Sequence, residues 1–399
     1  MTLSSNLEIE WIAQDSDTLA HTSALKMDGK KIISPLQAAS SPHHSLTRKE
    51  FERQMSGGTS YSPLIIAGEN LKYATLVGVG HNKSTTDQLT QRLKDKMIAD
   101  KINLVYPRIP LTCTNEKGVK CQPPQIDDLR ASGIVDVQLE ANAHAIIPPI
   151  PSGIERLDVF ERIFKRTLSE VQTFGAPKEI IGYIPITEKL KLVGDMIKTY
   201  VKNDCHFFAV DFSGAPNQPS LMRTTVRTIR ESMKISNRAK ESTEKYYLHV
   251  FDIATNRKSS LDVTSISDLI IHPYGVDSTS SQMWGGGNTS AENLRYYLID
   301  DYGAYRKKGI KEHGITCSCP VCKGRNTEQI YSGGASIVLN RLKEHRVHSY
   351  AKEYRRIAEK IETVDSGKGY QPYLFTKNRA TNEIESILRD VNEIKAGLS

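Results

Sequence analysis

The 399-residue chain carries 53 lysines and arginines against 46 aspartates and glutamates, a net charge of +7, and is 38% hydrophobic. It has no apolar run of about 18 residues, which argues against a membrane-spanning helix, and its start, MTLSSNLEIEWIAQDSD, lacks the basic-then-apolar order of a secretory leader. Six cysteines, three of them crowded near the end, do not make a disulfide framework and point to a reducing cytoplasm, while the mild basic excess leans towards a polyanionic partner.

Residues 1–60 read as polar and loop-rich, with Lys31–Pro35 a short strand stopped by proline and Thr47 capping a helix that begins at Arg48. Pro63–Ala67 and Ala74–Val79 have strand character, Thr86–Lys101 helical character, and Ile102–Tyr106 strand character again. Residues 107–130 hold prolines, Cys113 and Cys121 and read as an irregular loop; these two cysteines and Cys205 read as ordinary thiols, a clip between Cys113 and Cys121 being the alternative. Ile134–Leu139 is expected to be a strand, Ala145–Pro151 an extended, proline-fixed run, and Leu157–Phe174 an amphipathic helix. Strand Ile180–Ile184, helix Glu188–Lys202, strand His206–Val210, helix Ser220–Met233 and strand Tyr246–Val250 follow, then a short helix Ser259–Ser267 and a last strand Leu269–Ile271.

That alternation predicts an α/β fold with a parallel sheet and right-handed crossovers. Around eight such units fit a closed TIM-like (β/α)8 barrel. An open doubly wound sheet is the alternative, but neither G-x-G-x-x-G nor G-x4-G-K-[ST] is present to support it. The expected organisation is a barrel over 1–300, a small helical subdomain over 301–364 and a helical tail over 365–399.

The densest chemistry is Cys317-Ser-Cys319-Pro-Val-Cys322, a C-x-C-x2-C run, with His345 23 positions later. Three thiolates in a tight knuckle and one imidazole from a returning element make a closed tetrahedral site, the pattern of structural zinc. The returning element is the helical pattern Ser336–Glu362, which also carries His348 one turn on as an alternative fourth ligand. Arg306, Lys307, Lys308, Lys311, Lys323, Arg325, Arg341, Lys343 and Arg346 surround it, a density that suits phosphate contacts or a solvated face.

In a barrel the chemistry sits where strands end. Asp211, Asp252 and Asp277 each follow a late strand and are candidates for nucleophile, base or base-edge acceptor, or for helix caps. Gly214 and Gly285–Gly287 allow close approach of a flat ligand, and Trp284 offers a stacking surface or a packing group.

These residues together resemble the tRNA-guanine transglycosylase superfamily. The knuckle, then Leu342-Lys-Glu-His345 and an aromatic-bearing helix, is similar to its zinc subdomain, with the archaeal spacing, although Arg346 stands where the family has asparagine. Gly275-Val-Asp277-Ser-Thr-Ser280-Ser281 lies where the family has Gly-x-Asp-x-Phe-Asp-Ser, so the family's nucleophilic aspartate falls on Ser280. Phe212-Ser213-Gly214 lies near the family's Gly-Gly-Leu, and Asn142, with Glu140 before it, falls where the base-reading aspartate is expected. The family's early Asp-Ser-Gly segment and a C-terminal RNA-binding domain have no counterpart here.

The resemblance implies a (β/α)8 barrel with structural zinc and a pentosyltransferase that exchanges guanine in nucleic acid for a 7-deazaguanine base. It implies Asp277, Asp211 and Ser280 as catalytic candidates, and Glu140, Asn142, Ser213, Gly214 and Asp252 as base-binding ones. DNA, as in DpdA-like enzymes, is favoured over tRNA. A tRNA-guanine transglycosylase, an archaeosine-synthase-like enzyme and a non-catalytic partner subunit are the alternatives. A homodimer or heterodimer through the zinc region is the expected assembly.

Overall fold

A computed structural model of the chain describes residues 7–40, 64–99, 101–175, 178–215, 218–237, 245–253, 261–281, 294–314, 316–317, 319, 321–363 and 369–397. In chain order the strands are β1 (Glu8–Gln14), β2 (His21–Met27), β3 (Lys30–Ile33), β4 (Leu36–Ser40), β5 (Leu64–Asn70), β6 (Ile102–Arg108), β7 (Cys113–Thr114), β8 (Lys120–Cys121), β9 (Ala145–Ile146), β10 (Glu179–Ile180), β11 (Gly182–Pro185), β12 (Phe207–Asp211), β13 (Tyr247–Ile253), β14 (Val263–Ser265), β15 (Ser278–Ser281), β16 (Tyr296–Leu298) and β17 (Gly303–Tyr305).

Nine strands form one sheet in the order β10-β9-β6-β5-β4-β15-β13-β12-β11, and every pairing in it is parallel. The two ends of that order, β10 and β11, are separated in the chain by Ile181 alone, whose N–H donates to Ile146 O at 2.9 Å. The sheet therefore curls back on itself, nearly closed, in an α/β arrangement compatible with a TIM-like barrel.

Helices between the strands cover the outside, two of them with a clear apolar face. Leu157–Phe174 buries Phe160, Ile163, Phe164, Thr167 and Val171, a helical spacing, and ends at Gly175 in the left-handed conformation. Leu190–Lys202 buries Leu192, Val193, Met196, Ile197, Tyr200 and Val201 in the same way. Within the strands, side chains alternate between interior and helix layer. On β15, Thr279 Oγ1 meets Tyr354 OH of the helix Ala335–Glu362 at 2.7 Å, whereas Ser278 Oγ meets His249 Nδ1 at 2.7 Å, inside.

Five expectations from the sequence are corrected. Ala74–Val79 falls in a short helix, Tyr73–Gly78. Ile134–Leu139 belongs to the helix Asp128–Glu140, whose residues 131–135 and 137–139 are all buried, so its apolar run has no helical period to read. Residues 269–271 lie in and just after the helix Ser267–Ile270, the strand after β13 in the sheet being β15, and 263–265 form strand β14 rather than helix. The start of the chain is not loop but the antiparallel sheet β1-β2-β3. Its Trp11 donates from Nε1 to Tyr246 O at 3.1 Å and stacks on His21 at 4.2 Å. The expectations for Thr47, the helix after it, Trp284 and Gly285–Gly287 lie outside the described residues. No helix among the described residues is long and apolar enough to cross a membrane.

Candidate functional site

Three charged side chains converge where the parallel strands end. Arg108 closes β6, Asp211 closes β12 and Asp252 is the last residue but one of β13; all three are buried. Arg108 Nε lies 3.0 Å from Asp211 Oδ2, and Arg108 NH1 donates to Asp252 Oδ2 at 3.0 Å. Asp211 is held further by the hydroxyls of Tyr106 (2.7 Å) and Tyr183 (3.0 Å) on Oδ2, by Ser213 Oγ on Oδ2 (3.1 Å) and by Ser213 N on Oδ1 (2.7 Å). Burial is the largest single influence and opposes the Arg108 charge, but Asp211, the two phenols and Asp252 together outweigh it, and the guanidinium is held more firmly protonated than usual. Burial, then the Asp211 charge, pushes both phenols well above the ordinary tyrosine range, so they act as donors.

The backbone here is strained. Ser213 (φ 55°) and Asp252 (φ 55°) are non-glycine residues in the left-handed region, followed in the first case by Gly214 (φ 75°). Such residues cost about 1–3 kcal/mol each and gather at functional sites. Gly214 N donates to Asp252 O at 2.8 Å, so the two strained turns brace each other. The β13–β15 register slips between Val250 and Ile253. The slip breaks the strand alternation and turns Asp252 towards Arg108, the kind of re-aiming that bulges perform. Ser280 points inward by the alternation set by Ser278 and Thr279; it is buried, and its hydroxyl has no hydrogen-bond partner among the described residues.

Asp277 stands at the other end of the sheet. It immediately precedes β15 rather than following a strand. Ser23 Oγ (2.5 Å), Ser34 Oγ (2.8 Å) and His21 Nε2 (3.1 Å) lie on its Oδ1, and Leu248 N donates to Oδ2 at 2.8 Å. These contacts fasten the N-terminal sheet beneath the barrel, and they leave this carboxylate no route to a substrate at the mouth. Glu140 ends a helix and Asn142 (φ 56°) is in the turn that feeds β9, so both are exposed at the foot, with Asn142 Oδ1 accepting from Lys178 Nζ at 3.3 Å. The base-binding reading of Glu140 and Asn142 rested on a strand that is a helix. The residues the sequence reading missed are Arg108, Tyr106 and Tyr183; the available signal was an arginine at the end of a buried strand.

The second cluster is Cys317, Cys319, Cys322 and His345, whose donor atoms all lie within 4.8 Å of one another. His345 Nδ1 is 3.7, 3.4 and 3.5 Å from the three sulfurs in turn. A tetrahedral zinc with Zn–S about 2.3 Å and Zn–N about 2.0–2.1 Å sets S···N at about 3.6 Å, so the spacing fits the ion. His345 Nε2 lies 2.8 Å from Tyr297 O. A carbonyl only accepts, so Nε2 carries the proton and Nδ1 presents its lone pair to the sulfurs, the outer-sphere arrangement usual for a ligating histidine. Backbone N–H groups of Cys319 and Cys322 point at Cys317 Sγ (3.5 Å) and Cys319 Sγ (3.3 Å). Tyr296 stacks on the imidazole at 4.2 Å, within a small separate core that includes Tyr305, Ile310, Ile330, Val338 and Leu342. His348 is not a member of the cluster.

Most of the surrounding basic residues are engaged locally. Lys307 and Lys311 pair with Glu328 (3.0 and 3.8 Å), Lys308 with Asp262 (3.3 Å), and Arg341 donates to the carbonyls of Gln329 and Ile330. Arg346 pairs with buried Asp268 at 3.0 Å and lies over the rings of Tyr297 and Tyr350 at 4.4 and 4.8 Å, which ties the helix of His345 to the barrel wall. No protein-family model matches the chain, and no curated protein matches it in sequence.

Proposed function

We propose that the chain is a (β/α)8-barrel transglycosylase that exchanges guanine in nucleic acid for a 7-deazaguanine base. The observation that carries this reading is the buried Arg108–Asp211–Asp252 group at the strand C-termini, where barrel chemistry is built. The resemblance in the Cys-His segment supplies the reaction class. Asp252 is the nucleophile in this reading, in place of Asp277. Asp211 is saturated by its tyrosines, Ser213 and Arg108, and serves to hold Arg108, whereas Asp252 is aimed into the mouth by a strained backbone. An Asp252 oxygen attacks the sugar's anomeric carbon; the bond to guanine breaks, and its electron pair leaves on the purine nitrogen. The incoming 7-deazaguanine gives up its ring N–H proton and attacks the same carbon, the ester bond breaks, and the carboxylate is restored. The departing guanine takes up one proton, so the exchange balances. Arg108 orients Asp252 through its contact with Oδ2. The target nucleotide must be flipped from its stack to reach the mouth.

Duplex DNA is favoured over tRNA as substrate. The connection from β6 carries a small hairpin with exposed Lys117 and Lys120 beside the mouth, which suits phosphates flanking a flipped nucleotide. Cys317, Cys319, Cys322 and His345 would hold zinc in a structural role: four protein ligands leave no position for water. Because binding energy at such a site is folding energy, chelation is expected to disorder the small core around Tyr296 and Ile330, and Cys319→Ser to drop metal content from one ion per chain to near zero. Metal analysis with near-ultraviolet circular dichroism checks both; a soluble, natively folded, metal-free variant would contradict the structural role.

The second reading is a non-catalytic partner of an active transglycosylase. It is favoured by Ser280, an inward hydroxyl where the resemblance calls for a carboxylate. Nucleoside mass spectrometry of DNA and tRNA from cells with and without the chain tests the proposal: a 7-deazaguanine nucleoside that disappears from DNA with the gene supports it, and its appearance in tRNA alone reassigns the substrate. Exchange that requires a second chain, and survives Asp252→Asn, favours the partner reading.

A further inference from the structure

The cysteines outside the metal cluster include a pair that the fold sets face to face. Strands β7 and β8 form a two-stranded antiparallel hairpin in the connection after β6, and Cys113 and Cys121 are direct cross-strand partners in it. The tip is closed by Asn115 N to Val119 O (2.9 Å) and by Asn115 Oδ1, which accepts from Lys117 N and Val119 N at 3.0 Å each. Gly118 takes the left-handed φ of 75° that this turn requires. Opposed residues of an antiparallel pair have Cα atoms about 4.5–5.5 Å apart, inside the range of about 4.4–6.8 Å that a disulfide spans. Both thiols are reduced in the structure; Cys113 is buried, and Cys121 is half-buried.

We propose that Cys113 and Cys121 are a redox modification site, forming an intrachain disulfide by exchange with a small-molecule disulfide of the glutathione class. Cys121, the more accessible, reacts first. Its thiolate attacks one glutathione sulfur, the disulfide bond breaks, and one glutathione leaves and takes up the proton. Cys113 then loses its own proton and attacks the Cys121 sulfur, expelling the second glutathione as thiol. Two electrons pass from the thiol pair to the glutathione disulfide. The order follows from access: burial, and then the neighbouring Cys121, raise the Cys113 thiol above its ordinary range, which disfavours it as the first attacker.

The site sits on the mouth side of the barrel. Cys113 Sγ lies 4.0 Å from Leu71 O, Leu71 N donates to Arg108 O (2.9 Å), and Ser152 N donates to Ile109 O (3.1 Å). Oxidation therefore fixes the hairpin that carries Lys117 and Lys120 beside Arg108. Reduced thiols are the resting state in a reducing compartment, and disulfides there are transient or sensing.

The test is non-reducing peptide mapping of the full chain after incubation with glutathione disulfide. Trypsin separates Ile109–Lys117 from Cys121–Arg130, so the disulfide appears as these two peptides linked. The expected result is linkage in more than half of the molecules, reversed by dithiothreitol. Cys113→Ser should instead accumulate glutathione on Cys121, and Cys121→Ser should leave Cys113 unmodified. Wild-type protein that keeps glutathione on Cys121 with Cys113 reduced, or that yields no linked peptides while the single variants fold as the parent does, would overturn the site.

Discussion

The barrel buries carboxylates at both ends and uses them differently. At the foot, Asp277 takes two serine hydroxyls, a backbone N–H and His21, just before β15 begins, and a three-stranded sheet lies beneath it. At the mouth, Asp211 and Asp252 share an arginine, and the chain there is bulged, with Ser213 and Asp252 left-handed. Burial of an acid does not by itself mark chemistry. Strained backbone, a shared cation and the C-terminal end of the strands do.

The largest effect expected from breaking this contrast is on base exchange. Asp252→Asn removes the proposed nucleophile and should lower the rate by about 10³-fold or more. Its stability should fall by only about 1–2 kcal/mol, because Arg108 keeps Asp211. Asp277→Asn should behave in the opposite way. Its amide can keep Leu248 N–H on the oxygen only by aiming its NH2 at the two serine hydroxyls and His21, so charge-assisted bonds from buried groups give way to neutral ones, a loss of about 1.5–3 kcal/mol in urea unfolding.

Acid sharpens the comparison further. His249, in the barrel interior, is lowered by burial to about 3, and His272, near the foot, to about 4, burial again being the main cause. The unfolded chain binds these protons below about pH 6.5 and the folded chain does not, so stability falls with pH from about 6.5 down to about 4 and 3. Together they should cost about 4 kcal/mol between pH 7.5 and 5, a loss that His249→Gln should roughly halve if the variant packs as the parent does. Asp136, on the outer helix layer, has the reverse sign. Burial first, then Glu170 and Glu140, raise it to about 6, so the folded state holds the proton more tightly and gains stability as pH falls from about 6 to about 4. The side chain is only partly buried, so Asp136→Asn should stabilise the protein at pH 7 by only about 1 kcal/mol. An unchanged urea midpoint at pH 7 would contradict that assignment.

The legible part of this molecule was its amphipathic half. Helix Leu157–Phe174 was readable to the residue, and Ala335–Glu362 nearly so, because each buries one face and leaves charges on the other. The cysteine knuckle was readable from its spacing, which left the fourth member open between His345 and His348; the structure gathers His345 with the three cysteines. Strand β15, Ser-Thr-Ser-Ser, was missed because its inward side chains are hydroxyls that meet His249 and the mouth, so no apolar pattern announces it. That miss moved the end of the last strand and put Asp277 at the wrong end of the barrel. Helix Asp128–Glu140 was taken for a strand because it is buried almost all round, and with it Glu140 and Asn142 were misplaced. The alternation in β1, Glu-Ile-Glu-Trp-Ile-Ala-Gln, was present in the sequence and was outweighed by the polar residues around it.

The most direct measurement compares incorporation of a labelled 7-deazaguanine into duplex DNA, at one fixed salt concentration, by the parent, Asp252→Asn and Asp277→Asn proteins, each normalised to folded molecules. Asp252→Asn should give no incorporation, and Asp277→Asn near-parental incorporation per folded molecule. Full activity of Asp252→Asn beside a folded but inactive Asp277→Asn would place the chemistry at the foot of the barrel and contradict the Asp252 assignment.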